Sequence, residues 1–201
     1  MSPELLAELG LAAGAAASSG LRVYGTVAAL GWLQRLGVLA LPGQLEVLGE
    51  LPVVGIATLL YVAEFVADKV PAFDSVWDAI HTFVRVPAAA LIAFAALGDA
   101  PEVWRASAAL LAGGVALSVH GVKSGVRLAA NTSPEPFSNW GLSLAEEVTF
   151  AGIVYLVIQH PLAAIAAALV LFALGLVLMF WIARALRRLF RGGSRAPAEL
   201  A

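Results

Sequence analysis

Long apolar runs broken by short polar stretches set the pattern of this chain. The cleanest run, Pro161 to Ala183 (PLAAIAAALVLFALGLVLMFWIA), contains no charged residue. At about 1.5 Å per residue it is long enough to cross ~30 Å of hydrocarbon as a helix. Reading the remaining runs by hydropathy and breakers predicts six helical spans, near 21–41, 51–68, 86–98, 104–127, 141–159 and 161–183. The 86–98 stretch is pinched between Arg85 and Asp99, so it must begin inside the preceding polar segment or cross only part of the bilayer. Residues 3–18 read as a short interfacial or re-entrant helix, with Gly10 and Gly14 making a small-residue face. The predicted fold class is all-α, a polytopic helical membrane protein of about six transmembrane helices. It divides into an N-terminal interfacial or re-entrant helix (1–20), a transmembrane helical domain (21–183) and a basic cytoplasmic tail (184–201).

Composition strengthens this picture. The chain is 61% hydrophobic and 13% charged, and its mean hydropathy is +0.89. Soluble domains are only about half apolar. The N-terminus lacks a basic leader and carries Glu4 and Glu8, so a cleaved signal peptide is not expected. With no cysteine there is no disulfide, thiolate metal site or cysteine nucleophile. GxSxG, HExxH, P-loop and Rossmann patterns are missing, and three scattered histidines do not build a zinc site, so neither an enzyme nor a cofactor is expected. The net charge of −2 suggests no nucleic-acid partner.

Basic residues give an orientation. The tail holds Arg184, Arg187, Arg188, Arg191 and Arg195, a cluster expected to stay in the cytoplasm. Threading six spans back from it puts Arg22, Lys69, Arg85, Lys123 and Arg127 on the same side, and only Arg35 and Arg105 on the other. The expectation is a multi-pass protein of the inner membrane with both termini cytoplasmic.

Two polar stretches interrupt the apolar pattern, DKVPAFDSVWDAIHTF from Asp68 and NTSPEPFSNWGLSLAEE from Asn131. Ala67, Pro71, Ser75 and Trp77 align with Ala130, Pro134, Ser138 and Trp140, which suggests a repeated helical hairpin. Each Pro should end a helix. The helix would then restart with Asp74 or Ser75 as N-cap in the first stretch, and Ser138 or Asn139 in the second.

The surplus charges are the candidate chemistry. Asp74, Asp78 and His81 recur at i, i+4 and i+7, Glu64 and Asp68 close the second span, and Glu146 and Glu147 lie within the fifth. These seven are candidates for a cation or proton site, because carboxylates suit hard cations and intramembrane charge usually faces a cavity or a partner. The fourth span carries His120, Lys123 and Arg127 on one face, with Asn131 continuing the line. Together with Arg22 and Lys69 these are candidates for an anion or lipid head group. A blander reading pairs the stripes with each other, Glu64, Asp68, Lys123 and Arg127 neutralising one another as a packing device. The close-packing signal GxxxG also occurs at Gly121 to Gly125.

The segments GLRVYGTVAALG, EFVADKVPAFDSVWDAIHTFVR and NTSPEPFSNWGLSLAEE resemble the bacterial membrane-protein family described as domain of unknown function 4126. The resemblance runs from about residue 10 to residue 185 and implies a multi-pass inner-membrane protein, with no activity or site residue to carry over. Glu64, Asp68 and Lys69 are also similar to the E-x-G-D-K of a cation-exchanger family, with one extra residue and no Gly. Three functions fit: a transporter- or channel-like protein for a small ion, a handler of lipid or phosphate head groups, or a non-transporting scaffold. The partners compatible with these functions are the lipid bilayer, a small ion or anionic lipid, and a second copy in a homo-oligomer.

Overall fold

The computed structural model describes residues 2–130 and 137–192, and only the backbone of Pro71, Ala72, Ser75, Ala185, Leu186 and 189–192. Described residues form helices and no strand. The order is α1 (Pro3–Arg35), a 3-10 segment (Gly43–Gly49), α2 (Leu51–Ala67), α3 (Pro71–Ala96), α4 (Glu102–Ala130), α5 (Phe137–Gln159) and α6 (Pro161–Gly192). Four helices are long and apolar enough to cross a membrane: Val76–Ala96, Glu102–Ala130, Phe137–Gln159 and Pro161–Arg184. The 3-10 segment and α2, bent by 66°, make a fifth if taken as one broken span. The six expected spans therefore reduce to four, or five with the bent pair, by length and composition.

The difference lies in α1. Its start is well marked: the Ser2 hydroxyl accepts from the Leu5 amide at 3.2 Å, and Pro3 occupies the first turn, where its missing N–H is no loss. The expected span 21–41 instead ends at Arg35, just before Gly37 takes the left-handed φ of +69° that closes many helices. The helix is rich in Ala, Gly and Ser, and these small residues let neighbours come close. A Cβ on Gly10 would stand 2.6 Å from Pro161 Cβ, one on Gly14 would collide with Val157, and one on Gly20 would lie 2.8 Å from the Ala116 carbonyl. Accordingly α1 packs against all five other α-helices and is buried on every side from Gly10 to Val23 except at Ala13. The other glycine pair behaves differently: Gly121 has no neighbour within 4 Å, and Gly125 makes only ordinary contact with Ile182. No close helix crossing rests on them.

The polar breaks also differ in detail. Pro71 begins α3 rather than merely ending α2, with Val70 as the N-cap and Asp74 already in the first turn, where its charge complements the helix dipole. Ser138 and Asn139 lie inside α5 instead of ahead of it. The second half of the suggested hairpin repeat includes residues 131–136, which lie outside the described residues. The short 86–98 stretch belongs to α3, whose apolar window opens at Val76 inside the polar segment.

Side chains are arranged inside out. Phe83, Leu110 and Val148 point outward, while Arg22, Glu64, Asp68, Arg85 and Arg127 are all but completely enclosed. Water would reverse that distribution. It is compatible with a multi-pass protein whose outer solvent is lipid.

Candidate functional site

Helix α1 breaks at Arg22, where φ is −145° and ψ is 83°. A break strands backbone carbonyls at the end of the first half-helix, and such an end carries partial negative charge. Two cations meet it. Arg85 Nη1 donates to the Gly20 carbonyl at 3.2 Å, and Lys123 Nζ to the Leu21 carbonyl at 3.4 Å. Thr26 Oγ1 donates to the carbonyl of Arg22 itself at 2.9 Å.

Around this break the bundle gathers a single ion network. Arg22 binds Asp68 closely and reaches Glu146 at 3.1 Å and Glu147 at 3.0 Å. Arg85 contacts Glu64 at 2.5 Å and Asp78 at 3.2 Å. Arg127 grips both oxygens of Glu146 with its Nε and Nη2, at 2.7 and 2.9 Å, and also touches Asp68 and Asp74 at 3.3 Å each. Lys123 is held more loosely, 3.4 Å from Asp68, 3.5 Å from Asp78 and 3.6 Å from Glu146. The Tyr61 hydroxyl donates to Glu147.

Hydrogen bonds orient both His120 and His81. Arg85 donates to His120 Nδ1 at 2.6 Å, so the proton of His120 belongs on Nε2, facing Thr82 Oγ1 at 2.7 Å and the Asp78 carbonyl at 3.2 Å. His81 Nδ1 donates to the Trp77 carbonyl at 2.7 Å, and its Nε2 shares a hydrogen bond with the Tyr24 hydroxyl at 3.0 Å. Its ring stacks on Trp77 at 4.2 Å between centroids. His81 thus borders the network without joining its ion pairs.

The two sets of candidates predicted from the sequence are therefore one object. Glu64, Asp68, Asp74, Asp78, Glu146 and Glu147 interleave with Arg22, Lys123 and Arg127, and His120 bridges Arg85 to Asp78. Lys69 is not brought in: it folds back on its own helix, donating to the Phe65 carbonyl at 3.0 Å with its ammonium 2.9 Å from the centre of the Phe65 ring. Burial, then the nearby Arg22 charge, holds its pKa below the usual lysine value. Asn131 lies outside the described residues.

Arg85 is the residue that sequence reasoning misses. As a span boundary it serves orientation alone, yet it is the cation on Glu64. Its signal was present, for it stands seven residues after Asp78 and four after His81, on the same helical face. Tyr61, Tyr24, Thr82 and Ser124 were likewise not anticipated; Ser124 donates to Asp78 at 3.1 Å.

Charge does not balance. Among the described residues of the network, six carboxylates face four fixed cations, a formal surplus of two negative charges. Asp68 Oδ1 and Glu64 Oε2 are buried without a hydrogen bond. Asp68, Asp74 and Asp78 also offer oxygens within 4.8 Å of one another, a spacing a metal ion can use. However, Arg127 and Lys123 already contact all three. A divalent ion would have to enter beside those cations, whereas protons compensate the surplus without displacing them. Two cavities of about 200 Å³ each open onto the network. One runs beside Asp74, Asp78, Thr82, Ser124 and Arg127, the other beside Leu21, Lys123, Glu146 and Thr149.

No curated protein and no solved structure matches the chain. A family model described as a domain of unknown function (DUF4126) matches residues 9–183. An all-helical chain matched over nearly its whole length in this way belongs to that family of unknown function.

Proposed function

We propose that this chain is an integral membrane protein that moves a small cation, in the simplest case a proton, through the network at the break of α1. The observation that carries this reading is the surplus of two carboxylates in the network, whose Glu146 and Glu147 lie partly exposed at its edge. Uncompensated charge in low dielectric is costly enough that a group neutralises or captures a counter-ion. A site that must hold extra positive charge, and that two cavities reach, has the requirements for taking up a cation and letting it go. A discontinuous helix at the centre of the bundle is a setting transporters use for ions. Arg22, Arg85 and Arg127 would hold the carboxylates in place, and Lys123, the most loosely bound cation, would adjust as occupancy changes. In this reading the protein lies in the inner membrane with both termini in the cytoplasm, as its basic residues suggest.

A second reading is a membrane scaffold in which the network only locks helices together. It draws support from the pairing of each fixed cation with at least two carboxylates. The head-group reading has less to rest on, since Arg22, Lys123 and Arg127 direct their charge at carboxylates.

Proteoliposomes with an entrapped pH dye distinguish the first two. Under an imposed potential, and then under gradients of Na⁺, K⁺ and Mg²⁺, the protein should carry flux several-fold above empty liposomes. Asp78→Asn and Asp74→Asn should reduce it to background while the variants still purify as folded protein. Absence of flux under every gradient, with stability lost in Arg127→Glu and recovered in Arg127→Glu/Glu146→Arg, would select the scaffold.

A further inference from the structure

At the other end of the bundle, the start of α1 and the α3–α4 link enclose a cavity of about 720 Å³. From Asp78 to Leu97 along α3 is nineteen residues, or about 28 Å of helix, so this cavity is remote from the ion network. Its size falls within the ~300–1,000 Å³ range of small-molecule sites. Glu4, Glu8 and Asp99 line it, together with Trp104, and among the described residues no basic side chain does. The nearby Arg105 is turned away, donating to the Phe94 carbonyl at 3.2 Å and stacking on the Phe94 ring at 4.0 Å. Burial first, and then the charges of Asp99 and Glu4, push the Glu8 carboxyl above its usual pKa. Among the described residues the mouth is therefore lined by acids alone, without a basic partner.

The cavity does not end at its mouth. Leu9, Ala108 and Leu111 are shared with a second cavity of about 250 Å³. That second space runs between α1, α4 and α6, past Ala12, Ala16 and Phe172, and its lining is entirely apolar. A free metal ion has no use for such a channel, and a purely apolar molecule has no use for three carboxylates.

We propose that this site binds an amphiphilic cation, a single apolar chain bearing an ammonium or similar head. The head lies among Glu4, Glu8 and Asp99, where Trp104 adds a cation–π face. The chain follows the alanine-lined groove past Ala108. This site is separate from the ion network and does not depend on its role.

The test is equilibrium binding of radiolabelled dodecyltrimethylammonium to the full chain in lipid nanodiscs, with empty discs as background. The expected result is saturable binding above background, weakened at least tenfold in Glu8→Gln/Asp99→Asn. Ala108→Phe, which plugs the passage between the two spaces, should weaken it similarly. Both variants should keep the wild-type elution profile, and the first alters only side chains at the mouth. Tetramethylammonium, lacking the chain, and dodecanol, lacking the charge, should each compete at least tenfold less well. Uptake no greater than in empty discs, unchanged binding in both variants, or equal competition by tetramethylammonium would each overturn the proposal.

Discussion

Replacing Arg85 with methionine tests the network where it is least redundant. Asp68 contacts Arg22, Lys123 and Arg127, whereas Glu64 has an ion pair with Arg85 alone among the described residues. Glu64 is fully enclosed, and its second oxygen has no hydrogen bond. Breaking a buried pair by removing one partner typically costs about 3–5 kcal/mol. The chain can limit this cost by letting Glu64 take a proton. Protonating a carboxyl of reference pKa ~4.3 at pH 7 costs about 1.36 kcal/mol per unit, or ~3.7 kcal/mol. The two routes agree, and the second adds a sign. The variant's folded state would hold a proton that its unfolded state lacks, so its deficit should shrink by about 1.4 kcal/mol per unit as the pH falls from 7 to 5. Adding Glu64→Gln to Arg85→Met should recover ~2–3 kcal/mol at pH 7 by removing the stranded carboxylate. The assay is denaturant titration of micelle-embedded protein, followed by helical circular dichroism at both pH values. A deficit below ~1 kcal/mol at pH 7, or one that neither falls with pH nor responds to Glu64→Gln, would refute the reasoning.

Three further outcomes are expected. Arg127→Lys keeps the charge but loses the bidentate grip on Glu146, and should cost about 1.5–3 kcal/mol in the same titration. Gly175→Ala would drive a methyl into the Ser118 hydroxyl and to 2.8 Å from the Ser118 carbonyl, costing about 1–3 kcal/mol; Ser118→Ala in the same chain should return part of it. The raised pKa of Glu8 means its ionisation opposes folding: its contribution is favourable below the ordinary glutamate pKa and is lost as pH rises through the folded value. Glu8→Gln should therefore raise the unfolding midpoint slightly at pH 7 and leave it unchanged near pH 4, as differential scanning fluorimetry would report.

Sequence pattern alone reveals the helices whose outer surface meets lipid, because twenty apolar residues in a row are what a hydrocarbon solvent demands. Residues 161–183 are the clearest case, and the whole run lies within α6. The same logic misplaces α1. A helix enclosed by other helices needs small side chains rather than greasy ones, so Gly10, Gly14 and Gly20 carry more information than mean hydropathy does. The acids and bases of the network are legible as stripes, because i, i+4 and i+7 spacing follows from helix geometry. Which stripe meets which is not, since that depends on how α1 threads between α3 and α4. Arg85 and Lys69 show both errors: each borders an apolar run, yet one turns into the bundle and the other lies along Phe65. Lys69 stands in the turn after α2, one residue past Asp68, and turns back toward Phe65 instead of into the network.

The enclosure of α1 also bears on how the chain is made. This helix is translated before the other five, yet it carries Arg22 in its middle and is not among the helices apolar enough to cross a membrane unaided. Its arginine becomes tolerable only beside Asp68, Glu146 and Glu147, and the glutamates belong to α5, translated more than a hundred residues later. The ion pairs of Arg22 with α5 can therefore form only once that helix has been made, so the enclosure of the first helix is completed by residues from near the other end of the chain.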